Sequence, residues 1–275
     1  MTADRKLRAV LPKRQFQSGF TIVELLIVTI AILILICMLL PAVQQVRETA
    51  RRIACANNLL NIGSAIGQYE LAFTHLPPGV VNDKGPIFND ELGKDIGFLV
   101  QLLPFLERSM IYDQFDFVAG SYAPQNSALV QTKLPFLACS TTIRCDICYA
   151  GCHHHLEAPI DVDNMGLLFL NSQIRGREIL DGRSHTILLG EKVESYNQNW
   201  ASGTGETLRN TSDLGYKLTF APTSNVSVGG FSSVHPNGGN FCLADGSIQL
   251  LSYSIDRVLF GQLGHRADGN MISPW

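Results

Sequence analysis

The sequence predicts an α+β protein: one long N-terminal helix, apolar in its first half, followed by a globular region of short helices and strands. Three observations predict it. The run Ile22–Leu40 is almost wholly apolar, and at ~1.5 Å per helical residue such a run is long enough to cross the hydrocarbon core of a bilayer. Beyond Pro41, residues Val43, Val46, Ala50, Ile53, Leu59, Ile62, Ile66, Tyr69 and Phe73 recur at helical spacing. Toward the C-terminus, Phe241–Leu243, Asp245-Gly246 and Ile248–Leu251 form a β-hairpin pattern with Asp-Gly at its turn. A helix first and strands afterwards is an α+β arrangement.

Ahead of the apolar run stand Arg5, Lys6, Arg8, Lys13 and Arg14 against Asp4. A basic flank stays on the cytoplasmic side, which sends the C-terminal bulk outward. A cleaved secretory signal is the competing reading. Its apolar region is usually only about 7–15 residues and ends in a small-x-small site; this run is longer and no such site follows cleanly. The chain therefore divides into a cytoplasmic basic leader (1–19), a transmembrane helix (20–40), an amphipathic spine helix (41–76) and an exported α+β head (77–275).

Glu48 can pair with Arg51 or Arg52 on the outer face of the spine. Gly63 and Gly67 weaken the helix or permit close packing, and Pro77-Pro78-Gly79 ends it. Residues 80–95 read as a loop. Phe98–Phe117 reads as a helical region broken near Pro104, and Gln125–Lys133 as a short helix. Residues 138–165 read as an irregular Cys/His stretch. Gly166–Leu170 and Thr186–Leu189 read as buried strands, and residues 195–225, rich in Asn, Thr, Ser and Gly, as a surface insertion. Ile255–Leu263 reads as a closing helix.

Composition narrows the function. With 275 residues, 46% of them hydrophobic, and a formal net charge of −3, the chain can bury a core but lacks the basic stripe that nucleic-acid binding needs. Gly203-Thr204-Gly205 begins a dinucleotide-like pattern without completing it, and no HExxH, GxSxG or Walker loop occurs. The expectation is a protein that is not an enzyme.

The informative segment is Gly19-Phe20-Thr21-Ile22-Val23-Glu24. A charge at the centre of a membrane span costs about 2.5–3.5 kcal/mol on insertion scales and marks a functional position in search of a partner. Snorkelling to the nearby interface is the plainer account of Glu24. This hexapeptide, followed by its apolar run, resembles the cleavage signature of type IV prepilins and type II secretion pseudopilins. The resemblance implies cleavage between Gly19 and Phe20, N-methylation of Phe20, and a Glu24 that pairs with the terminal ammonium of a neighbouring subunit during assembly. Pro41, 41 − 20 = 21 residues past Phe20, falls where many family members carry a helix-kinking proline. Implied partners are a prepilin peptidase, pilus or secretion machinery, other pilin-like subunits and the membrane, with no nucleic acid. The implied location is the inner membrane, single-pass, N-terminus cytoplasmic and head extracytoplasmic. The implied fold is pilin-like: a spine helix on an antiparallel sheet, here in an enlarged head. A tethered binding module that borrows this anchor is the alternative function.

A second resemblance covers most of the head. Asn57-Asn58-Leu59 through Pro77-Pro78-Gly79, Leu102-Leu103-Pro104-Phe105-Leu106-Glu107, Asp181-Gly182 through Gly190-Glu191, and His235-Pro236-Asn237-Gly238-Gly239-Asn240 with Ala244-Asp245-Gly246-Ser247 resemble phrases of a large, uncharacterised pilin-like family abundant in planctomycete bacteria. The chain departs from that pattern at Ser140-Thr141, at Asn237 and in the cysteines after Ile143. The resemblance implies fold and export and supplies no activity.

Two candidate sites remain. Cys139, Cys145, Cys148 and Cys152 with His153, His154 and His155 have ligand types suited to tetrahedral zinc. An oxidising compartment instead favours disulfides, and Cys55 can bridge to Cys139. Cys37 and Cys242 read as buried thiols. Asn240 and Asp245 offer oxygen ligands for calcium, as in a C-terminal loop of some pseudopilins; a hairpin turn accounts for the same residues.

Overall fold

The computed structural model describes residues 21–91, 93–139, 141, 145–193, 198–216 and 227–270. The chain divides into two compact units, Met1–Arg47 and Glu48–Trp275. Helix α1, Ile22–Phe73, begins in the first and ends in the second.

In the first unit α1 starts with a reciprocal cap. The Thr21 hydroxyl accepts the Glu24 N–H at 3.2 Å, while Glu24 Oε2 accepts the Thr21 N–H at 2.9 Å and its hydroxyl at 2.8 Å. The two side chains thereby satisfy donors that every helix start leaves open. Ile22 to Leu40 then present exposed apolar side chains, none of them buried, so this stretch could span a membrane. The helix continues through Pro41.

In the second unit the same helix buries Cys55, Leu59, Ile62, Gly63, Ala65, Ile66 and Tyr69, one face at helical spacing. After it come β1 (Val80–Val81) and β2 (Ile96–Gly97), a small antiparallel pair. The short helices α2 (Phe98–Leu102), α3 (Ser109–Gln114) and α4 (Ser127–Val130) follow. A 3-10 turn at Leu103–Leu106 carries Pro104 near its start, which is the predicted break.

The main sheet comprises β3 (Tyr149–His154), β4 (Ile187–Glu191), β5 (Leu208–Tyr216), β6 (Gly230–Ser233), β7 (Gly239–Leu243) and β8 (Ile248–Leu251), in the order β6-β5-β3-β4-β7-β8. β3 pairs parallel to β5 and β5 parallel to β6; the remaining pairs are antiparallel. The expected antiparallel sheet is therefore a mixed one. Helix α5 (Arg257–Leu263) closes the described chain, capped by Asp256, whose carboxylate accepts the N–H groups of Val258 and Leu259.

Alternation along the strands separates two cores. Tyr149 and Cys242 join the cluster that contains the buried face of α1. Ala150, Phe241 and Leu243 face the other way, into a cluster with Phe260 and Leu263 of α5. The sheet is thus covered by α1 on one side and α5 on the other.

Three sequence expectations are corrected. The 138–165 stretch contains the central strand β3. Gly166–Leu170 is buried but is not a strand; Gly166 and Leu167 instead donate to the carbonyls of His153 and Cys152. The polar 195–225 region contributes β5 to the sheet, with Leu208 to Thr211 buried, so its described part is no surface insertion.

Candidate functional site

A group of polar side chains converges where α1 meets the sheet. His235, in the loop after β6, is 1% exposed. Its Nδ1 lies 2.7 Å from Oε1 of Glu48 on α1. Arg51 Nε and one terminal guanidinium nitrogen donate to the other oxygen of Glu48, at 3.0 and 2.7 Å. The carboxylate therefore accepts from Nδ1–H. The far nitrogen, Nε2, is buried without a hydrogen-bond partner among the described residues and lies 3.7 Å from Oε1 of Glu191, at the end of β4. Glu191 is held by the Asn240 amide (2.7 Å), the Asn240 N–H (3.1 Å) and the Ser233 hydroxyl (2.7 Å).

Two cysteines complete the group. Cys55 Sγ on α1 donates to Cys139 Sγ at 3.0 Å, and both sulfurs lie within 4.8 Å of a ring nitrogen of His235 and of each other. Asn58, one turn beyond Cys55, donates to the Tyr149 hydroxyl and the Ala138 carbonyl, which fixes α1 against β3 beside the sulfur pair. Burial opposes a charge on His235, but the neighbouring Cys139 sulfur, the hydrogen bond to Glu48 and attraction from Glu191 outweigh it and lift its pKa to about 9. The Cys55 thiol beside Cys139 holds Cys139 below the usual thiol range despite burial, with His235 adding to the effect. Burial pushes Glu191 up.

The other sequence candidates disperse. Cys145 donates to the Ile147 carbonyl and Cys148 to the Cys145 carbonyl, each at 2.9 Å; Cys148 Sγ also accepts the Cys139 N–H at 3.2 Å. Cys152 faces the opposite core, with Phe241 and Phe260. His153 pairs with Asn164 at 2.9 Å, and His155 lies against His265 with ring centroids 4.8 Å apart. The Cys145-to-His155 run therefore forms no single ligand set. Cys242 is buried as expected, whereas Cys37 is exposed on α1. Asn240 is engaged with Glu191, and Asp245 accepts the Ser247 N–H and hydroxyl inside the β7–β8 turn. The Asp245 contacts are those of a hairpin turn, whereas Asn240 sits within β7. Gly19 and Phe20 lie outside the described residues.

Sequence reasoning missed His235 and Glu191 as partners of the cysteines. Both fall in the phrases that carried the second resemblance, which was the available signal. Residues 44–258, more than half of the chain, match a family described as a protein of unknown function, DUF1559. No curated protein matches the chain, and no solved structure does.

Proposed function

The chain belongs to the DUF1559 family, and we propose that it is a structural pilin- or pseudopilin-like subunit, processed by a prepilin peptidase and assembled into a filament of the type II secretion or type IV pilus kind. The observation that carries this reading is α1 itself. One helix joins an exposed apolar stretch, whose single formal charge is Glu24, to a face buried in the head from Cys55 onward. The first stretch is suited to pack against lipid and then against copies of itself, while the head stays folded on the second.

The mechanism is assembly. Cleavage after Gly19 exposes the Phe20 ammonium, and Glu24 of an adjacent copy pairs with it in an apolar setting, where an unpaired carboxylate is costly. Thr21 holds the Glu24 carboxylate at the helix start until that exchange.

Mass spectrometry of the mature N-terminus tests the reading. A methylated Phe20 is the expected terminus, and an intact Met1 leader on the membrane protein removes the proposal. Glu24→Ala is expected to leave cleavage unchanged and to abolish incorporation into filaments.

A tethered binding module is the second reading, favoured by one observation. A cleft of about 260 Å³ is lined by Tyr122, Leu134, Leu137 and Trp200, and the indole N–H of Trp200 is buried without an acceptor among the described residues. Retention of ligand-dependent Trp200 fluorescence in a Glu24→Ala chain that still fulfils its cellular role would favour this module over the filament subunit.

A further inference from the structure

We propose that Cys55, Cys139 and His235, completed by Glu191, bind one thiophilic d10 cation of the zinc class in the seam between α1 and the sheet. The sequence groups Cys139 with the Cys145-to-His155 run, and the structure keeps only Cys139 of that set at this seam. The residues that do converge come from four distant stretches: the spine helix, the loop before β3, the end of β4 and the loop after β6.

The donor chemistry is of the right kind. Thiolate sulfur and imidazole nitrogen are the preferred ligands of zinc and of cuprous copper, and a carboxylate oxygen is an accepted fourth ligand on zinc. The two sulfurs and a ring nitrogen of His235 lie within 4.8 Å of one another. Nδ1 is taken by Glu48, so Nε2 is the nitrogen left for the ion. Glu191 Oε1, 3.7 Å from Nε2, lies outside that close group of three and is the carboxylate oxygen that would swing in as the fourth ligand.

The histidine separates an ion from a simple Cys55–Cys139 disulfide. A disulfide would consume the sulfurs and leave Nε2 buried without a partner, as it stands now, and a buried unpaired nitrogen costs about 1–3 kcal/mol. An ion satisfies it. The far side of the ring is also arranged as metal-bound histidines are. A carboxylate accepts Nδ1–H and is itself fixed by Arg51, which sets the tautomer and ring orientation. On binding, the protons still held by Cys55, Cys139 and His235 Nε2 leave to solvent as two S–metal bonds form and the freed Nε2 lone pair completes the third bond.

The group formed by Asp181, His265 and Asp268 does not share these features. Asp181 accepts the N–H groups of Asp268 and Gly269, and His265 Nδ1 accepts that of Ala267, so this group ties down the C-terminal segment.

The test uses the full chain, extracted in detergent from bacterial membranes without chelator. Elemental mass spectrometry should find close to one zinc or copper ion per chain, and alkylation under denaturing conditions should find Cys55 and Cys139 as thiols. After chelation, added Zn2+ alone should restore the stoichiometry. His235→Ala should retain less than a tenth of the metal. Glu48→Gln keeps all ligands and should raise the zinc dissociation constant about 10–100-fold, so the idea stays testable if His235→Ala fails to fold. A quantitative Cys55–Cys139 disulfide peptide, thiols that take up no metal, or unchanged zinc affinity in Glu48→Gln would overturn it.

Discussion

Gly63 of α1 and Cys242 of β7 pack so closely that a Cβ on Gly63 would stand 2.7 Å from the Cys242 sulfur. At Gly67, one turn later, a Cβ would meet nothing within 4 Å. The two glycines look equivalent in the sequence and are opposite in the structure. Gly63→Ala should destabilise the protein by about 1–3 kcal/mol through overpacking, and Cys242→Ala in the same chain should recover most of the loss. Gly67→Ala should stabilise it by about 0.4–1 kcal/mol, because the helix gains and nothing is displaced. Urea unfolding of the four proteins measures all of these effects.

Lys192 and Glu206 form an ion pair at 3.3 Å with both side chains fully buried. Removing one charge takes a buried counter-charge from the other. Glu206→Gln should cost about 3–5 kcal/mol, and the double replacement Lys192→Met with Glu206→Leu should cost less than that single change. A double-mutant cycle in chemical denaturation checks the difference.

His153 gives the protein a sensitivity to acid. Burial lowers its pKa to about 3, with His154 and Arg209 acting the same way against the Asn164 hydrogen bond. The unfolded chain takes up this proton below an ordinary value of about 6.5, and the folded chain does so only near 3. The stability it contributes is therefore present above pH 6.5 and is lost as pH falls toward 3, at up to about 1.4 kcal/mol per pH unit. In His153→Gln the stability-against-pH curve should be flatter over that window than in the parent, as read by thermal unfolding at successive pH values.

Arg183 donates through both terminal nitrogens to the two oxygens of Glu70 on α1. Arg183→Ala should cost about 1 kcal/mol, a modest figure because the guanidinium is partly exposed. Arg183→Lys should recover only part of it, since an ammonium cannot make the paired contact. Melting temperatures of the three proteins provide the measurement.

These residues also show what could be read from the chain. The spine helix was legible because apolar residues from Leu59 to Tyr69 keep helical spacing and really are buried, and the β7–β8 hairpin because Asp245-Gly246 is a turn with an obvious cause. Strand β5 was not. Leu208 to Asp213 reads as surface, yet Asn210 and Thr211 are buried. Their environment is polar and satisfied: Glu157 accepts the Asn210 amide and the N–H groups of Val228 and Gly229. Hydropathy patterning cannot register a strand whose burial is made affordable by hydrogen bonds from distant residues. β3 was hidden for a related reason, since Cys152, His153 and His154 look like ligands before they look like a strand. In the candidate site, Cys55 and Cys139 were legible as a pair, whereas their meeting with His235 depends on the placement of the sheet.

The strand order has a consequence for how the molecule is made. β4 lies between β3 and β7, and His235 reaches Glu48 across 187 positions. Until the ribosome has delivered the stretch from β6 to β8, β4 has a bare edge and the spine lacks the part of its cover that β7 supplies through Cys242. A nascent chain stopped short of that stretch would carry exposed pairing surface and be prone to clump or be degraded. The head should therefore close late and slowly, as topologies dominated by distant contacts do, and a chaperone that shields the half-made sheet should raise the yield of folded protein more than any single stabilising substitution.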